Sequence, residues 1–294
     1  MRNYFKFTLL ISAIFTLSFE SVAQEPQDFL DGAYQPVTNF QKSKVPYPYL
    51  READVMYSKR IWQEIDLKQK INHPFYYPIE PINNRKNLFD VIKTALLLPG
   101  IDGQPSLLAY SPGSASDEDE FFTRNRLELD SIFNILNPFS AVDKFDDNTG
   151  AKIETVMERK PLSSDLITRY RLKEDWIWDR QRSERYVRII GIAPLMETID
   201  EDTGELLGYL PLFWLYYPEC RSVFARAEAF NLFNDAQRRT YEDLFQKRYF
   251  SGCIVKESNV YDRDLRYLKG MDALAESERI KEELFLLEHD LWHY

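Results

Sequence analysis

The sequence predicts an α+β fold, with a helical N-terminal half and a mixed antiparallel sheet with helices in the C-terminal half. Three observations point there. Apolar residues recur at helical spacing in several runs before residue 140. Runs dense in β-branched and aromatic residues follow between 176 and 217. The chain then closes on an apolar seam with 4-3 spacing between 272 and 292. Composition sets outer limits: 44% of the 294 residues are hydrophobic and 15% aromatic, too rich for a disordered chain. With 37 Lys+Arg against 47 Asp+Glu, the net charge is −10. Such a surface argues against non-specific nucleic-acid binding, which needs excess cations to displace phosphate counterions. A count of 10 glycines also disfavours Gly-rich phosphate loops.

The N-terminus carries a compartment signal. Arg2 and Lys6 lead into an uncharged apolar run from Phe7 to Leu17, and Ser21-Val22-Ala23 places small residues ahead of Gln24. This order predicts a signal peptide over 1–23, cleaved between Ala23 and Gln24. The run is short for a membrane span of roughly 20 residues. No later window reaches 18 apolar residues, so a protein with no direct membrane span is expected. Residues 24–48 read as an extended arm, because Pro26, Pro36, Pro46 and Pro48 bias the backbone away from helix. Phe29, Tyr34, Phe40, Tyr47 and the adjoining Tyr49 give the arm aromatic surface to dock on its own body or on a neighbour.

Residues 49–294 make up the α+β domain, with a candidate subdomain boundary near 140–160. Glu52 to Ile71 is expected to be helical. Val55, Ile61, Trp62 and Ile65 share one face of a helical wheel, while Met56, Leu67 and Ile71 share a second. Two stripes imply burial from two sides. His73-Pro74 and Tyr77-Pro78 end the run. A second helix spans Arg85 to Leu97, before Pro99-Gly100, and a third Leu127 to Leu136. Residues 111–120 form an acidic loop and Asp146 to Gly150 a turn. Ser163 or Ser164 caps a helix to about Lys173. Strands are expected at Trp176–Trp178, Val187–Ile192, Tyr209–Tyr217 and Gly252–Lys256. Asp200 to Glu205 reads as a hairpin turn with Gly204 at positive φ; the distal Glu of a calcium loop is missing. Thr240-Tyr241-Glu242-Asp243 resembles a capping box, and Asp272 to Trp292 is the last helix.

Catalytic signatures are sparse. His289 and His293 stand i, i+4, but lack the Glu of a zinc-protease helix and face away from the apolar seam. No nucleophile elbow, phosphate loop, dinucleotide fingerprint or C-x-x-C pair occurs, and no carboxylate pair stands out as a glycosidase dyad. No metal or cofactor is expected. Cys220 and Cys253 have two readings. A disulfide would contribute about 3–4 kcal/mol in the chain-entropy model, and the alternative is two small apolar side chains in neighbouring strands.

Several runs occur together and in order. They are Tyr47 to Met56, Lys59-Arg60-Ile61-Trp62, Ile65-Asp66-Leu67 and Asn72 to Pro78. Later come Arg188 to Gly191, Tyr217 to Arg221, Glu257 to Arg263, Glu276 to Lys281 and Glu288 to Trp292. In this order they resemble the GldN/PorN family of gliding-motility and type IX secretion proteins. The resemblance implies a non-enzymatic periplasmic component of Bacteroidetes-type bacteria. It would assemble, as copies of itself in a ring, with a GldK/PorK outer-membrane lipoprotein at the inner face of the outer membrane. It would also contact the periplasmic part of GldM/PorM. Aromatic and apolar side chains then become the candidate interface: Tyr34, Phe40, Tyr47, Tyr49, Met56, Trp62 and Leu67. Two other readings stand beside this one, a secreted enzyme acting on cell-wall carbohydrate through a carboxylate pair, and a client-binding adaptor that forms no ring.

Overall fold

The computed structural model describes residues 42–82, 85–98, 105–112, 120–145, 152–199, 204, 206–231, 234, 236–260, 264–268 and 270–290. These fall within one compact unit, Asn39–Tyr294. Ala23, Gln24, Tyr34 and Phe40 lie outside the described residues, as do the turn at 146–150, residues 200–203 and residues 291–294.

The chain opens with β1 (Val55–Asp66), α1 (His73–Tyr76), α2 (Leu88–Leu97), β2 (Ala109–Tyr110) and α3 (Leu129–Leu136). A hairpin, β3 (Phe139–Phe145) and β4 (Lys152–Arg159), comes next. The long strands β5 (Ile167–Asp179) and β6 (Glu184–Ile199) lead to β7 (Leu206–Pro211), β8 (Trp214–Tyr216) and α4 (Tyr217–Phe224). Last are β9 (Glu228–Ala229), β10 (Arg239–Thr240), α5 (Tyr241–Gln246), β11 (Cys253–Glu257) and α6 (Met271–Asp290). The main sheet runs β11-β1-β5-β6-β8-β2, with β7 added on β6, and its pairings are antiparallel. The short pairs β9–β10 and β3–β4 are separate.

The N-terminal half is therefore not helical. The segment expected as its first helix is β1, paired with β11 on one side and along nearly its whole length with β5 on the other. The misreading has a physical cause. A strand buried on both faces carries apolar residues on both, so Ile61 and Ile65 point one way and Trp62 the other. Charges at 60, 64 and 66 looked like a solvated helix face, yet they meet counter-charges on β5. The helix expected from Ser163 to Lys173 fails for the same reason. Ser163 makes no side-chain cap, Ser164–Leu166 is one 3-10 turn, and β5 begins at Ile167. Pro74 does not stop a helix either; it sits in the first turn of α1, where its missing N–H costs nothing.

Elsewhere local signals hold. Asn87 caps α2 by accepting from the Asp90 N–H at 2.7 Å. Thr240 and Asp243 form the reciprocal capping box of α5 at 3.3 and 3.1 Å. Gly204 has φ +69°, as a left-handed turn residue should. Helix α6 buries Ser277, Ile280 and Leu284 along its seam.

One sheet face is covered by helices. Ile65, Tyr170, Leu172 and Ile192 pack under α2, α4 and α5, whose Phe89, Phe224 and Phe245 fill the main core. Further along, Ile61, Trp178 and Ile254 pack under Ile280 and Leu284 of α6. Between these two clusters sits a charge. Glu174 is 0% exposed and accepts from Arg248 at 2.8 and 3.2 Å and from the Trp176 indole at 3.0 Å. Arg248 also donates to Gln63 at 3.1 Å and lies over the Trp176 and Phe250 rings. Truncating Arg248 to Ala would strand that carboxylate and cost about 3–5 kcal/mol of unfolding free energy. The double variant Glu174→Leu/Arg248→Met should recover most of it in urea titrations. A double variant no better than the single one would refute the pairing argument.

Candidate functional site

The opposite face of the sheet is built from alternate residues of the same two strands. Trp62, Glu64 and Asp66 of β1 lie across from Lys173, Arg171 and Arg169 of β5 in antiparallel register. Alternation puts these charges on one side and the core residues on the other. Arg171 donates to Glu64 Oε1 at 3.1 and 2.6 Å, and Arg169 to Glu64 Oε2 at 3.2 Å. The Arg169 guanidinium also stacks 3.8 Å from the centre of the Tyr209 ring. Lys173, only 1% exposed, pairs with Glu120 and lies between the Trp62 and Phe121 rings, 5.6 and 5.7 Å away. Phe121 can enter because residue 191 is glycine: a Cβ there would come within 2.5 Å of the phenyl ring.

Beside this ladder opens a cleft of about 840 Å³ whose floor includes Glu64, Asp66, Arg169 and Arg171. Leu207 and Leu210 of β7, 68% and 59% exposed, stand on its rim with Leu274 of α6. Glu64 and Asp66 are two pocket carboxylates, the feature that would favour a carbohydrate-cleaving enzyme. Their surroundings oppose that chemistry. Both oxygens of Glu64 accept from arginines, and Asp66 lies 3.6 Å from Arg169, so both carboxylates are already engaged by the protein itself. A neutralised polar floor with an exposed leucine rim suits contact with another protein.

A second constellation lies where the arm meets the body. Arg221 is buried, donates through Nε to Glu242 at 2.6 Å, and bonds the Val45 carbonyl. The Tyr217 hydroxyl donates to the other Glu242 oxygen at 3.1 Å. Tyr47 covers this cation: its ring centre is 3.8 Å from the Arg221 guanidinium and 5.3 Å from that of Arg188. Arg188 donates to the Pro48 carbonyl at 2.7 Å. Lys42 reaches Asp243 at 2.5 Å and Thr240 at 3.4 Å. Burial raises the Tyr47 hydroxyl pKa, and it outweighs the opposing pull of Arg221. Burial also pushes the Asp243 carboxyl up, but Lys42 and the Thr240 N–H and hydroxyl outweigh it, leaving that pKa lowered.

The candidate interface residues separate. Tyr49 and Met56 are exposed, at 82% and 52%. Tyr47 is docked on its own body. Trp62, expected on a helix, is on β1 between Lys173 and Lys256, the latter 4.8 Å from its ring. Leu67 is 3% exposed within the main core and offers no surface. Cys220 and Cys253 are both free; Cys220 is buried in the main core, where burial raises its thiol pKa, and Cys253 lies on the cleft wall. His289 is on the exposed side of α6, while His293 lies outside the described residues. Among the described residues no cluster of three or more His, Cys, Asp or Glu could hold a metal. Sequence reasoning gave no contact role to Arg188 or Arg221, read Asp243 as a helix cap without its Lys42 contact, and missed the Arg169–Arg171–Lys173 ladder. Alternation of Arg169, Arg171 and Lys173 with Tyr170 and Leu172 was the available signal for the ladder.

A protein-family model described as gliding motility associated protein GldN matches residues 50–293. The chain belongs to the GldN family. Membership makes it a component of the gliding-motility and type IX secretion machinery, in a family of structural components rather than enzymes. No curated protein matches the chain. The matched span holds both arginine constellations and the cleft, while the docked arm residues 42–49 precede it. Among the described residues no helix is long and apolar enough to cross a membrane.

The Asp243 contact gives a pH dependence of known sign. Its folded pKa is lowered, so its contribution is complete above the unfolded value of about 3.9 and fades as pH falls through the folded one. Urea unfolding from about pH 6 to about pH 3 should show the gap between wild type and Asp243→Asn closing on the acid side. A gap that stays constant would place the lowered pKa elsewhere.

Proposed function

We propose that this GldN-family chain is a non-enzymatic structural subunit of the type IX secretion and gliding apparatus. It assembles with a GldK/PorK-type lipoprotein into a periplasmic ring at the inner face of the outer membrane, and contacts the periplasmic part of a GldM/PorM-type motor partner. The family match over residues 50–293 carries this reading. The cleft supports it, since its carboxylates are held by arginines and its rim is exposed leucine. A closed ring needs heterologous contact, in which one patch of each subunit meets a different patch of the next. Tyr49, Met56 and the arm offer one such patch; the cleft rim with Leu207, Leu210 and Leu274 offers another.

Size is the deciding measurement. Co-expressed with the lipoprotein, the protein should enter very large annular particles by electron microscopy, and alone it should stay small. A complex that stays at the mass of one or two subunits would leave the adaptor reading in place. Deleting residues 24–48 should sharply reduce co-purification with the lipoprotein; unchanged recovery would remove the arm from that interface.

A further inference from the structure

We propose that the socket formed by Arg188, Arg221, Thr240 and Asp243 receives residues 42–48 of a second copy of this chain in the assembled state, and the molecule's own arm when it is isolated. This rests on the ring reading only for where the exchange takes place. The socket side is anchored within the body. Arg221 of α4 pairs with Glu242 of α5, and Thr240 and Asp243 form the α5 capping box. The arm is the loosely held partner. No residue from 42 to 50 belongs to a helix or strand, and residues 43–46, 48 and 49 are exposed.

The arm is held at separated points, through two of its side chains and two of its carbonyls. Lys42 meets Asp243, the Val45 carbonyl meets Arg221, Tyr47 lies against both arginines, and the Pro48 carbonyl meets Arg188. Each contact belongs to a sequence every copy carries, so an arm from a neighbour would make the same bonds. The occupant is specified by complementarity, a lysine for the Asp243 carboxylate and a tyrosine face for the paired arginines. Exchange then changes only effective concentration. The short tether at 49–51 gives a molecule's own arm an effective concentration of roughly millimolar order. Neighbours fixed side by side reach a similar value, and residues 42–48 extend over about 23 Å at about 3.3 Å per residue. Pro46 and Pro48 keep that stretch extended in either state. Because arm and socket are different surfaces, exchange is head-to-tail, the geometry that closes rings.

Photo-crosslinking tests this with the full chain. Tyr47→p-benzoylphenylalanine keeps an aromatic ring at the contact, and circular dichroism checks the fold. Irradiated dilute protein should give internally crosslinked monomer, and irradiated co-assemblies with the lipoprotein a ladder of two, three and more copies. Adding Arg188→Ala should lower the ladder yield several-fold. Electron microscopy of the same samples reports ring formation independently. Rings that yield only monomeric or lipoprotein-linked products overturn the exchange while leaving the ring intact. If no rings form, protein concentrated to about millimolar decides: covalent dimers support exchange, and monomer alone overturns it.

Discussion

Strand β5 must bury charge on both of its faces, and the surrounding structure depends on how each charge is met. Glu174 points under the helices and Lys173 and Arg171 point the other way, all within a segment 9% exposed or less. A buried ion without a partner costs several kcal/mol, on the order of the whole stability of a domain. Each therefore recruits a counter-charge from a distant segment: Arg248 after α5, Glu120 in the acidic loop, and Glu64 on β1. A one-residue slip between β1 and β5 would put Glu64 on the core face and Ile65 on the charged one. The charges thus fix register as firmly as the apolar residues do.

That constraint also shapes the surface available to partners. With Glu64, Arg169 and Arg171 satisfying one another, the cleft floor is polar yet neutralised, and the exposed leucines of β7 remain unmatched. A polar, neutralised surface with an apolar rim is suited to contact with another protein. The arm socket follows the same rule: Arg221 is neutralised by Glu242 from within, and its remaining face is offered to an aromatic ring.

Much of the local structure was legible. Helices α2, α3 and α6, the α5 capping box and strands β6 and β11 follow from propensity, periodicity and caps, which act over a few residues. The single strand expected over Tyr209–Tyr217 is instead split into β7 and β8, with Tyr217 opening α4. Strand β1 was not legible as a strand, and β5 was legible only at its Trp176–Trp178 end. Their charged residues mimic a solvated helix face when the counter-charges, more than a hundred residues away for Glu64 and Arg171, are unseen. Leu67 illustrates the same limit, because an apolar residue at the end of a run reads equally well as interface or core. Here it is core.

By itself the sequence determined the class of protein: a mixed, acidic, aromatic-rich chain whose ordered runs, from Tyr47 to Trp292, resemble the GldN/PorN family. Those features are local or compositional, so no contact map is needed to read them. Only the tertiary structure decided which charges are inside, which arginines face the arm, and which leucines stay uncovered. Pairing energy depends on distance and burial, and both are set by strands and loops that meet only after the chain has folded.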